Sequence, residues 1–136
     1  MKLKFQYSQI YDELFSYMSR NDFNNGQILE LKTFTIQLSN YWNKINNKII
    51  KEIEKVSDLR FNNNINCFIV KHLGYRAISD PFTIKMYKDF NYLTGVIIHE
   101  LVHILLRDNQ KILNLVNKKF AHEENDFKVH FPVLLI

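Results

Sequence analysis

The chain has 136 residues and is 46% hydrophobic and 24% charged, a composition that predicts one globular domain and argues against disorder. A single cysteine excludes an internal disulfide and a multi-cysteine metal site, and three glycines and two prolines exclude collagen-like and glycine-rich phosphate-loop architectures. The net charge of +4 permits nucleic-acid binding, but the basic residues are scattered among Asn and Ile, so we expect no nucleic-acid partner.

The first half of the chain predicts helices. Ser8 is a suitable N-cap for a short helix. One face of this helix carries Ile10, Leu14, Phe15 and Met18. After a turn at residues 21–26, apolar residues recur in steps of three and four from Thr35 to Val56, which predicts a long amphipathic helix. Residues 28–34 fit either a strand or the first turns of that helix.

The second half predicts two strands and then three helices. The strands are expected at Asn66–Lys71 and Phe82–Tyr87, with a loop at residues 72–79 between them. Pro81 suits an edge strand, where a missing N–H is harmless. The predicted helices are Asp89–Arg107, Gln110–Phe120 and a segment from about Glu123. This order indicates an α+β fold in which a short mixed sheet packs on the helix at 89–107, with further helices on either side.

We expect a single domain over residues 1–136, with a helical part at 1–60 and a core at 61–136. The N-terminus lacks the continuous apolar core of a signal peptide. The best apolar run, Leu93–Leu105, contains three ionisable residues and is shorter than the ~18 residues that span a bilayer. These features predict a cytoplasmic protein with no membrane partner. The apolar end at 131–136 indicates either a docked final segment or the cut edge of a longer chain.

One motif carries chemistry: residues 99–103 read His-Glu-Leu-Val-His, an HExxH sequence. On a helix, His99 and His103 project from one face and can hold one zinc ion at about 2.0–2.1 Å. Glu100 lies about 100° round the helix, where it can reach a zinc-bound water and take its proton during attack on a carbonyl. Burial of these groups without a partner would cost several kcal/mol, which favours a metal site over a chance match.

The segment from Val96 to Leu105 resembles the extended signature of zincin metallopeptidases, in which the flanking positions are uncharged or apolar and Val is favoured at the first. The resemblance covers about residues 65–136. It implies a zinc-dependent metallopeptidase that hydrolyses peptide bonds in a peptide or protein substrate. It also implies that the strand at Phe82–Tyr87 forms the sheet edge along which an extended substrate lies.

The third zinc ligand decides the branch of this family. A metzincin has a histidine six residues after the second motif histidine, where this chain has Asn109. Thermolysin-like gluzincins take a glutamate 20 residues after that histidine, which corresponds to Glu123, and Glu124 is the alternative. Phe127 stands where those proteins have an aspartate, and Asp126 lies one place short. The resemblance to gluzincins implies His99, His103 and Glu123 as metal ligands. The compact size of the chain is similar to that of the minigluzincins, the small single-domain members of this branch.

His130 is the remaining candidate. It lies seven residues after Glu123, which on one helix would place both side chains on the same face. His130 would then donate to the developing oxyanion, a role that zincins often give to His or Tyr. A half-buried surface position beside Pro132 is the alternative, and His130 becomes the leading third ligand if neither glutamate binds.

Two other functions are compatible with the motif. The first is a metal-binding but non-hydrolytic module, although a purely structural zinc site has no need of Glu100. The second is an antitoxin-like regulatory protease, because the run from Glu124 to Leu135 is loosely similar to that class. A zinc-dependent metalloendopeptidase is the principal hypothesis.

Overall fold

The structure, a computed structural model, describes residues 1–134, and in the last helix it describes the side chains of Asn125, Phe127, Lys128, His130 and Val133. Five helices and four strands are present in these residues. They are β1 (Leu3–Tyr7), α1 (Gln9–Met18), α2 (Asn25–Ser57), β2 (Ile65–Val70), β3 (Ala77–Ser79), β4 (Phe82–Lys85), α3 (Phe90–Asp108), α4 (Gln110–Lys119) and α5 (Asn125–Leu134). The predicted α+β class is confirmed.

The four strands form one mixed sheet in the order β1-β2-β4-β3. β1 pairs in parallel with β2, with Phe5 opposite Cys67, and β2 pairs in parallel with β4, with Ile69 opposite Ile84. The parallel β1–β2 pair requires a long crossover, which α1 and α2 supply. β1 is not among the strands predicted from the sequence.

The edge of the sheet nearest α3 is β3, so the prediction that Phe82–Tyr87 forms the edge is wrong. β4 covers only Phe82–Lys85 and lies between β2 and β3, with hydrogen bonds to both. Residues 72–79 were predicted as a loop, but Ala77–Ser79 pair antiparallel with β4 and lie against α3. Pro81 precedes the first residue of β4, so its missing N–H removes no bond from this interior strand.

α2 is a single helix of 33 residues, which shows that residues 28–34 are its first turns and not a strand. The side chain of Asn24 caps it by accepting a hydrogen bond from the Gln27 N–H. Its apolar stripe packs on the sheet, and the Trp42 ring meets the Phe5 ring edge-on at 6.0 Å between centroids. Burial of this stripe holds the helix, because long helices gain most of their stability from packing.

α1 has the predicted cap at Ser8, but its apolar face is not its buried face. Asp12 and Ser16 are buried on this helix. The side chains of Ile10, Leu14 and Met18 are exposed. The Asp12 carboxylate accepts hydrogen bonds from the Gln27 amide at 2.8 Å and from the Lys71 N–H at 2.7 Å. These charge-assisted bonds turn the polar side of α1 inward and tie it to α2 and to the end of β2.

α3 occupies the predicted position and forms the centre of the core. Asp89 caps it by accepting hydrogen bonds from two backbone N–H groups of the first turn. Its fully buried side chains include Leu93, Ile97, Leu101 and Leu105. α4 and α5 follow as predicted helices, and α5 begins at Asn125. None of the helices in the described part of the chain is long and apolar enough to cross a membrane.

Candidate metal centre

His99 and His103 lie one turn apart on α3, on the side opposite its fully buried stripe. Both side chains are half-buried, and their Nε2 atoms are 3.0 Å apart. A hydrogen bond at this distance needs one donor and one acceptor nitrogen, so at least one ring is neutral. The apolar anchors Leu101 and Leu105 fix the helix rotation and therefore the direction of both imidazoles.

α5 brings a third imidazole to the same place. The ring of His130 stacks on His99 at 5.7 Å between centroids with an interplanar angle of 22°, and it meets His103 edge-on at 5.2 Å. One nitrogen from each of the three rings lies within 4.8 Å of the other two. Three imidazoles from two helices therefore converge on one point, although α4 separates those helices in the chain.

This donor set fits a zinc ion. Two imidazole nitrogens bound at about 2.0–2.1 Å to a tetrahedral ion are about 3.3 Å apart, close to the 3.0 Å between His99 and His103. Three histidines leave the fourth position of a tetrahedral ion open, as in catalytic sites and unlike closed structural sites. Imidazole ligands also suit copper, iron and nickel, so the donors alone do not select zinc.

The electrostatics of the cluster favour neutral imidazoles, the form that binds metal. Burial, followed by the neighbouring charges of His99 and His130, lowers the pKa of His103 from 6.5 to about 4. Burial and then His130 also lower the pKa of His99. At neutral pH these two rings therefore carry no charge, and the Nε2 that donates in their mutual hydrogen bond must shift its proton to Nδ1 before both Nε2 atoms can bind a metal.

Glu100 lies beside the three histidines and is half-buried. Burial raises the pKa of its carboxyl group, and the charge of His130 opposes that rise. A carboxylate is a more effective general base at neutral pH when its pKa is raised towards that pH. Cys67 is fully buried nearby, and burial, followed by the charge of Glu100, raises the pKa of its thiol well above the usual value. A protonated, buried thiol is a core residue and not a metal ligand.

The structure does not bring Glu123 to the three histidines. Among the side chains that the structure describes, the donors that meet are those of His99, His103 and His130. Glu123 is exposed and lies in the bend between α4 and α5. The expectation that Glu123 and His130 share a helical face is wrong, because α5 begins at Asn125. Glu124 is exposed as well, and the side chain of Asp126 and the end of the run from Glu124 to Leu135 lie outside the described residues.

A cleft of about 820 Å³ opens beside His99 and Glu100, between α3 and the strands β3 and β4. Its walls include four residues that the sequence analysis did not single out: Tyr87, Tyr92, Arg76 and Lys85. Tyr87 and Tyr92 meet edge-on at 5.0 Å between ring centroids. The volume is typical of sites that bind small molecules. Nothing in the sequence indicates a role for these residues beyond their nearness to the strand that precedes the HExxH helix.

Comparison of the chain with protein-family models, with curated proteins and with solved structures gives no match.

Proposed function

We propose that the protein is a zinc-dependent metallopeptidase. The observation that carries this proposal is the convergence of His99, His103 and His130, with His99 and Glu100 lining a cleft. The three imidazoles would hold the ion, and His130 takes the ligand position that the resemblance assigned to Glu123. His130 would therefore not be the oxyanion donor that the sequence suggested.

Zinc in such a site would polarise a substrate carbonyl and lower the pKa of a water molecule towards about 7. Glu100 would accept the proton of the attacking water and pass it to the leaving amine. Its half-buried position and raised pKa support this role, since proton transfer is most effective when the pKa of the base is near the working pH. The apolar stripe of α3 would hold both motif histidines rigid during the reaction.

The position of β3 supports an extended peptide as the substrate. β3 is the last strand of the described sheet on the side of α3, and its neighbour in the sheet is β4. An extended peptide can add to such an edge through main-chain hydrogen bonds, which recognise peptide backbone without requiring one sequence. β3 also lies against α3, so a peptide added there would pass close to His99 and Glu100.

The test is cleavage of an unbiased peptide mixture by the zinc-loaded full chain, with the products identified by mass spectrometry. We expect cleavage that stops when a chelator removes zinc and returns when zinc is restored. Absence of cleavage by protein that holds one zinc per chain would contradict the proposal and leave the non-hydrolytic metal-binding module. Cleavage that the chelator does not affect would contradict it as well.

A further inference from the structure

The charged residues that line the cleft beside Glu100 are mostly basic. Three of its lining residues are charged at neutral pH: Arg76, Lys85 and Glu100. Since Glu100 lies at the histidine end, the wall formed by β3, β4 and the segment before β3 carries positive charge only. A positively charged cleft wall attracts anionic groups and raises their local concentration.

Arg76 and Lys85 are neighbours across the β3–β4 pair. The pairing runs Ser79 opposite Phe82 and Ala77 opposite Ile84, and the Lys85 N–H donates to the Arg76 carbonyl oxygen at 3.3 Å. Arg76 and Lys85 therefore lie opposite each other, one position beyond the last residue pair of the β3–β4 ladder. Like charges directly opposite each other destabilise a strand pair, and an anion bound between them would relieve this repulsion.

The protein itself does not supply that anion within the part of the chain described. The ion pairs found there involve Arg60, Lys71 and Arg107, and neither Arg76 nor Lys85 has a carboxylate within 4.0 Å. Tyr87 and Tyr92 line the same cleft. Arg76 is exposed and Lys85 is half-buried, so both side chains are open to a ligand from solvent.

We infer that Arg76 and Lys85 bind a carboxylate of the substrate peptide, so that the cleft selects peptides that place a carboxylate at this position. This inference rests on the proposed peptidase function and names the substrate class of the same site. The carboxylate could belong to an Asp or Glu side chain or to the peptide C-terminus, because both present two oxygens to a guanidinium in the same way.

Binding can be measured apart from cleavage with the zinc-loaded Glu100→Gln protein. The probes are four fluorescein-labelled hexapeptides that differ only in one central Glu or Gln and in a free or amidated C-terminus. We expect the anionic peptide to bind about tenfold tighter than its neutral counterpart, as for one charge-assisted contact. A difference in affinity between the Glu and Gln peptides identifies a side-chain carboxylate as the ligand. A difference between the free and amidated peptides identifies the C-terminus.

Arg76→Gln and Lys85→Gln should each remove most of this preference, and Arg76→Glu should reverse it towards a peptide with Lys in place of Glu. Lys51→Gln, an exposed lysine on α2 outside the cleft, is the matched control and should leave the preference unchanged. Equal binding of all four peptides, or a preference that survives both cleft substitutions, would overturn the inference.

The two proposals fail separately. If the wild-type protein cleaves peptides but the preference for a carboxylate is absent, the inference is wrong and the peptidase function stands. If the preference is present but the zinc-loaded wild type cleaves nothing, the cleft binds such peptides without hydrolysing them.

Discussion

His99 and His103 hold their Nε2 atoms 3.0 Å apart on α3, and the ring of His130 from α5 closes the group. The contact between the two Nε2 atoms limits how many of the three imidazoles can be protonated. Three imidazoles this close cannot all be protonated without strong repulsion, so the apoprotein keeps His99 and His103 neutral. A divalent cation between the rings would replace the hydrogen bond between His99 and His103 and bind all three imidazoles.

The first prediction concerns the third ligand. His130→Ala should weaken zinc binding by at least about 100-fold, because loss of a direct ligand exceeds the 10–100-fold effect of losing a supporting group. Zinc affinity is measured by competition with a chromophoric chelator. Glu123→Ala and Glu124→Ala are the controls, and both should bind zinc as the wild type does, since both side chains are exposed and away from the histidines. Loss of zinc from Glu123→Ala but not from His130→Ala would show that Glu123 is the third ligand, as in the gluzincins.

The second prediction concerns pH and the stability of the zinc-free protein. The pKa of His103 is lowered in the fold to about 4, below its ordinary value of 6.5. Between these values the unfolded chain binds more protons than the folded chain, so the free energy of unfolding should decrease as pH falls from 6.5 towards 4. Urea denaturation at several pH values measures this slope.

Glu100 acts in the opposite direction, because its pKa is raised in the fold. His103→Gln isolates the histidine contribution and should flatten the dependence between pH 6.5 and 4. His122→Gln, at an exposed position, is the control and should not change the slope. An unchanged slope in His103→Gln would show that the burial of this ring does not govern the acid sensitivity.

The third prediction concerns Gly95, which lies on α3 one turn before His99 and lines the cleft. A methyl group at this position would meet no atom within 4 Å, so Gly95→Ala should stabilise α3 by about 0.5–1 kcal/mol. The same methyl group would occupy part of the cleft that the proposed peptide substrate would enter, so KM should rise. Asn40→Ala, exposed on α2, should stabilise without changing KM. A stabilised Gly95→Ala protein with unchanged KM would place the substrate elsewhere.

The fourth prediction concerns Asp12. Its buried carboxylate accepts from the Gln27 amide and the Lys71 N–H, so Asp12→Ala leaves both donors unsatisfied. The free energy of unfolding should fall by at least about 2 kcal/mol, measured by urea denaturation. Asp22→Ala, at an exposed position, should change it by no more than about 0.5 kcal/mol. Equal effects of the two substitutions would show that the Asp12 bonds do not hold α1.

The sequence predicted what depends on local periodicity. α3 has a cap at Asp89 and a regular apolar stripe, so its extent and the common face of His99 and His103 follow from the 3.6-residue period. The length of α2 was underestimated only at its start. These features require no knowledge of distant contacts.

What the sequence did not predict depends on contacts between distant segments. β1 is a five-residue strand whose partner, β2, lies about 60 residues further on. The apolar face of α1 does not become its buried face, because bonds from α2 and the end of β2 to Asp12 determine which side turns inward. The meeting of His130 with α3 follows from how α4 and α5 fold back, which residue spacing alone does not determine.

The proposed role of Glu100 as a base beside a metal held by three histidines is tested by zinc content and peptide turnover, measured in the same preparations of wild-type and Glu100→Gln protein. We predict about one zinc per chain in both proteins and turnover lowered at least about 100-fold in the variant. Equal turnover at equal zinc content would show that Glu100 is not the base.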